Sequence, residues 1–113
     1  MFKDTRCNDM KEVGLIVLEA AHSIQAEDYD TAKILLKKAA SYDVENPMVY
    51  NLLGIIYEKN KDFSNAAKYY RVAYYMDQGF KAASDNLDRL NDMYYKGYGE
   101  VSWGLEKIGE NLR

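Results

Sequence analysis

The sequence predicts an all-α chain built as a run of antiparallel helix hairpins, and three observations predict it. One proline, Pro47, occurs in 113 residues, and the seven glycines sit mostly near Gly79 and beyond Lys96, so long stretches lack helix breakers. Within those stretches apolar residues recur at three- and four-residue spacing, and no strand-like alternation persists over five residues. Finally, displacing the sequence by 34 residues pairs Leu18 with Leu52, Asp28 with Asp62, Ala32 with Ala66, Ala39 with Ala73 and Asp43 with Asp77. Tyr29 then meets Phe63 and Leu36 meets Tyr70, so turns and contacts both keep register and the repeating unit is helix, turn, helix.

The first helix carries Val13, Ile16, Val17, Ala20, Ala21 and Ile24 on one face, and Asp9 with Glu12 has capping-box spacing at its start. After a break at Glu27-Asp28-Tyr29, Asp30 is the expected cap of a second helix with Ala32, Leu35, Leu36, Ala39 and Ala40 inward. Asn46-Pro47 supplies an N-cap and a first-turn proline for a third, with Val49, Leu52, Leu53, Ile56 and Tyr57 inward. Ser64 is the expected cap of a fourth, carrying Ala66, Ala67, Tyr70, Ala73 and Tyr74, with Gly79 ending it as a left-handed C-cap. Phe80, Ala83, Leu87, Leu90 and Tyr94 line a fifth. In the tail, Val101, Leu105, Ile108 and Leu112 form an apolar stripe expected on a sixth helix, packed over the fifth near Leu87, Leu90 and Tyr94. Gly97-Tyr98-Gly99 reads as a hinge, which in an alternative arrangement carries that stripe to a neighbouring molecule.

Length and composition, 13.0 kDa with 48% hydrophobic and 29% charged residues, describe one globular domain, residues 1–113, with a modest core. Cys7 is the sole cysteine, so no internal disulfide forms, and this usage together with the polar N-terminal stretch points to the cytoplasm. No apolar run approaches the length of a membrane span. A net charge of -3 and pI near 5.1 argue against nucleic acid as partner, and Lys33, Lys37 and Lys38 read as the solvated face of a helix.

The second copy of the repeat carries Tyr50-x-x-Leu53-Gly54-x-x-Tyr57 and then Ala66-x-x-x-Tyr70-x-x-Ala73, and this pattern resembles the tetratricopeptide repeat signature, with Gln78 where that family usually has proline. The first copy departs further, with Ile16, Glu19, Ala20 and Ser23 at first-helix positions, although Ala32, Leu36 and Ala39 fit. Repeat one spans 13–46, repeat two 47–80, and 81–113 forms a degenerate third unit with a capping helix. Gly54 and Ala20 are small where the first helix of each pair meets the second. The resemblance implies a right-handed superhelical stack of these hairpins, whose concave face holds a peptide or helix from a partner. By register that groove presents Val17, Ala21, Ile24, Met48, Asn51, Ile55, Lys59, Ala82, Asp85 and Arg89, with Asn51 and Arg89 as solvent-facing hydrogen-bonding groups. A familiar subset of the family grips an acidic chaperone tail with cations and asparagines. The matching positions here are Val17, Ala21, Leu52, Ala82 and Asn86, and only Asn86 has suitable chemistry.

Catalytic chemistry finds little support. Cys7 and His22 are the sole residues of their kinds and stand apart in sequence, and no nucleophile turn accompanies them. Two potential ligands without paired spacing predict no metal site, and the glycines beyond Lys96 follow no strand and precede no phosphate-loop lysine, so no cofactor is expected. The eleven tyrosines read as packing residues, since neighbours on a helix point about 100° apart. The expected function is therefore a protein–protein interaction module, an adaptor or scaffold rather than an enzyme, with a protein or peptide in its groove. The alternative is a self-assembling scaffold whose apolar surfaces form a homo-oligomer.

Overall fold

The computed structural model of the chain describes residues 5–92, 100–106 and 108. Five α-helices are present and no strand occurs among the described residues: α1 (Thr5–Gln25), α2 (Tyr29–Tyr42), α3 (Pro47–Lys59), α4 (Phe63–Met76) and α5 (Lys81–Leu90). The chain divides into two compact units, one of Met1–Val44 with Leu105–Arg113 and the other Glu45–Gly104. In the first, α1 packs on α2; in the second, α4 packs on both α3 and α5.

The 34-residue period is written into the backbone as well as the sequence. Glu27 and Lys61, one period apart, are the two non-glycine residues with left-handed φ, 62° and 64°. Each sits just before an aspartate that caps the following helix: the Asp28 carboxylate accepts from Thr31 N at 3.2 Å, and Asp62 from Asn65 N at 3.3 Å. The expected caps Asp30 and Ser64 fall instead within the first turn, because the left-handed residue reverses the chain earlier. Asn46 caps α3 as expected, accepting from Met48 N at 2.9 Å with Pro47 in the first turn. α2 and α4 end alike at Asp43 and Asp77 in extended conformation. Gly79 is therefore not a left-handed C-cap; its N–H donates to Asp77 Oδ1 at 2.9 Å, so the aspartate turns the chain. α1 begins at Thr5, upstream of the Asp9–Glu12 pair.

Buried residues of the first unit include the whole expected face of α1, together with Ala32, Leu36, Ala39 and Ile108. Those of the second include Val49, Leu52, Ile55, Ile56, Ala66, Tyr70, Ala73, Phe80 and Ala83. Leu35, Ala40, Leu53, Tyr57, Ala67 and Tyr74, expected inward, are only half-buried. Gly54 allows the closest approach in the second unit, because a Cβ there would lie 2.5 Å from the Tyr70 ring. Its counterpart one period earlier is Ala20, and the counterpart of Tyr70 is the smaller Leu36.

The tail departs from its expectation. Residues 100–105 are not helical. Gly104 has φ +69°, and main-chain groups of Ser102 and Trp103 are held by side chains of the second unit, which fixes a conformation no helix shares. Ile108 lies instead in the first unit, where a Cβ added at Gly14 would come within 3.5 Å of it. The Gly97-Tyr98-Gly99 hinge, Tyr94 and Leu112 lie outside the described residues.

Candidate functional site

Two helical faces of the second unit converge on the segment Val101–Gly104. α3 contributes Asn51, Ile55 and Glu58 at spacings of four and three, so they share one side of the helix, and α5 contributes Ala82, Asn86 and Arg89 by the same spacing. Asn51 and Asn86 are completely buried, and an unpaired buried carboxamide is costly, so their partners decide what the site is. Asn86 Nδ2 donates to Asn51 Oδ1 and to Ser102 O, each at 2.9 Å, while its Oδ1 accepts from Ser102 N at 2.8 Å. Asn51 Nδ2 donates to Ser102 O at 2.9 Å and to Trp103 O at 3.2 Å. One side chain thus engages both the N–H and the C=O of a single residue, as a strand does to its neighbour in a hydrogen-bonded antiparallel pair, so Ser102 is read as extended backbone.

The clamp is braced from behind. Asn86 Oδ1 also accepts from Arg89 Nη2 at 2.8 Å, and Arg89 makes a two-pronged ion pair with Glu58, Nη2 to Oε1 at 2.9 Å and Nη1 to Oε2. Tyr70 of α4 donates its hydroxyl to Glu58 Oε1 at 2.7 Å. Burial, reinforced by the Glu58 carboxylate, pushes the Tyr70 hydroxyl far above the usual tyrosine pKa, against a smaller opposing effect of Arg89. The result is a continuous polar line from the core of α4 through α3 and α5 to the main chain of residues 102 and 103. Asn86 uses both donors and two acceptor sites within it, which leaves its orientation no freedom. Gly104 closes the site: besides its left-handed φ, a Cβ there would lie 2.4 Å from Phe80 Cζ and 2.9 Å from Ala82 Cβ.

Residues 3–91 match the family described as the tetratricopeptide repeat protein 21 C-terminal ARM domain. The chain belongs to this family. It is accordingly a helical-repeat domain, and the converging faces of α3 and α5 lie largely within the stretch that the family covers. No curated protein and no solved structure matches the chain. Among the described residues, no helix is long and apolar enough to cross a membrane.

The residues expected to line the groove of this helical-repeat domain are placed as follows. Val17, Ala21 and Ile24 are buried on α1 of the first unit, and Met48, Asn51 and Ile55 are buried on α3. Lys59 is exposed, and Asp85 is half-exposed, 3.5 Å from Lys81 Nζ. Arg89 and Asn51 are not solvent-facing groups whose loss is harmless. Both belong to the buried network, and removing Arg89 strands the Glu58 carboxylate at a cost of about 3 kcal/mol. Glu58, Ser102 and Gly104 are site residues that sequence reasoning missed. Glu58 and Arg89 are 31 residues apart and look like any two surface charges. Gly104 was a usable signal, since a glycine inside an apolar stripe argues against the helix that the stripe suggests.

Proposed function

We propose that the chain is a protein-interaction module, an adaptor or scaffold of tetratricopeptide type acting in the cytoplasm, and that the α3–α5 face receives an extended segment of polypeptide. The observation that carries this reading is the Asn51–Asn86 pair: two fully buried carboxamides directed at main-chain groups rather than at side chains. Such a site recognises peptide backbone, which every protein partner presents. Binding rather than catalysis is part of the reading, because the buried titratable groups nearby, Tyr70, Glu58 and Arg89, bond one another. Panning a displayed peptide library against the chain, with hydrogen exchange to locate each binder, tests it. Protection of α3 and α5 is expected. Binders that protect the outer face of α4 instead would relocate the site, and an absence of binders would overturn the proposal.

A further inference from the structure

The α3–α5 site already holds polypeptide. Three hydrogen bonds from two buried asparagines converge on the carbonyls of Ser102 and Trp103, a fourth takes the Ser102 N–H, and Phe80 and Ala82 close around Gly104 so tightly that no side chain fits there. None of these contacts uses the serine hydroxyl or the indole nitrogen. What the site requires is an extended main chain followed by a residue at positive φ without a Cβ, that is, glycine. Trp103, only half-buried, adds apolar contact area without being enclosed.

We infer that Val101–Gly104 is an internal stand-in for the partner, and that the site takes, from another protein, an extended segment of the form small residue, aromatic, glycine, which must displace Val101–Gly104 to bind. This rests on the peptide-site reading above. A tethered segment competes at an effective concentration of about a millimolar. A free segment that binds the vacant site with a Kd of 10 to 100 µM, as an order-of-magnitude case, is therefore weakened about ten- to a hundredfold in the intact chain. The chain holds itself closed to weak ligands and opens to a strong one.

The probe is the acetylated, amidated hexapeptide Glu-Val-Ser-Phe-Gly-Leu, residues 100–105 with phenylalanine in place of Trp103. Because Trp103 is the sole tryptophan, its emission reports release of the internal segment when this peptide binds. Two full-length variants vacate the site by different means: Gly104→Val, which meets Phe80 and cannot easily hold the positive φ, and Ser102→Pro, which removes the N–H that Asn86 accepts. Fluorescein-labelled probe, followed by anisotropy, is expected to bind both variants at least tenfold more tightly than the wild type, with red-shifted Trp103 emission in the wild type at saturating probe. Adding Asn86→Ala to either variant is expected to abolish binding. Equal affinity for wild type and vacated variants overturns the stand-in while leaving the peptide site standing. Failure to bind a vacated variant whose circular dichroism remains helical overturns the peptide site itself. If one variant loses its helicity, the other decides.

Discussion

At the scale of single residues, the two repeats solve the same packing problem with different pairs. The second unit sets Gly54 against Tyr70, with a hypothetical Cβ only 2.5 Å from the ring, whereas the first has Ala20 and Leu36 at the equivalent positions, both buried. Gly54→Ala is therefore expected to destabilise by about 1 to 3 kcal/mol through overpacking, despite the better helix propensity of alanine. Combined with Tyr70→Leu, which recreates the first-unit pair, the loss should be smaller than the sum of the two single losses, and denaturant titration of all four proteins measures that coupling. Tyr70 carries a second prediction. Its pKa is raised in the folded chain, so above the ordinary tyrosine value near 10 the unfolded state gives up a proton that the folded state keeps. Stability owed to the neutral hydroxyl is thus complete below pH 10 and falls as pH rises beyond it. Urea melts between pH 9 and 11.5 should show a shallower decline for Tyr70→Phe, by up to about 1.4 kcal/mol per pH unit. Parallel declines would mean that other tyrosines dominate, Tyr69 among them, since burial and Tyr57 also raise its pKa.

At the scale of elements, helix starts rather than helix faces separate expectation from observation. Apolar periodicity placed the helices because it is a local property of the chain, whereas their caps depend on where the turn reverses. Glu27 and Lys61 in left-handed conformation move each reversal forward, so Asp28 and Asp62 take the capping role. Asp28→Ala and Asp62→Ala should each destabilise by about 1 kcal/mol, with the same sign in both repeats. Glu27→Gly should act oppositely. It relieves the left-handed strain, offset in part by the greater freedom of glycine in the unfolded chain, for a net gain of up to about 1 kcal/mol. A lower Tm for Glu27→Gly would show that this side chain makes contacts worth more than the strain. α5 differs from α2, α3 and α4 because Phe80 gives it no side-chain cap. That position is taken by an aromatic ring packed at Gly104, so the site that grips residues 102–104 occupies the place of a cap.

At the scale of the whole molecule, the helical repeat was legible in the sequence and the clamp was not, for one physical reason. Hairpins arise from contacts between residues close in sequence, and these leave a period. The clamp joins Asn51, Asn86 and Ser102, whose proximity only the folded chain creates, and the stripe of Val101, Leu105 and Ile108 imitates a helix while serving two separate ends. Residues up to Gly104 belong to the unit of α3, α4 and α5, and those from Leu105 to that of α1 and α2, so the chain passes between units at one peptide bond. Each side of that bond has its own anchor, Ser102 on the clamp and Ile108 against Gly14, and the anchors should be separable. Ile108→Ala removes a buried side chain at a cost of about 2 to 5 kcal/mol, which should appear as faster amide exchange in α1 and α2. Ser102→Pro removes a main-chain donor and should speed exchange in α3 and α5, where Asn51 and Asn86 lose partners. Hydrogen exchange resolved by peptide mass spectrometry distinguishes the two patterns. Were either substitution to loosen all five helices equally, the anchors would act as one, and opening of the clamp would be felt through the entire repeat rather than within α3 and α5.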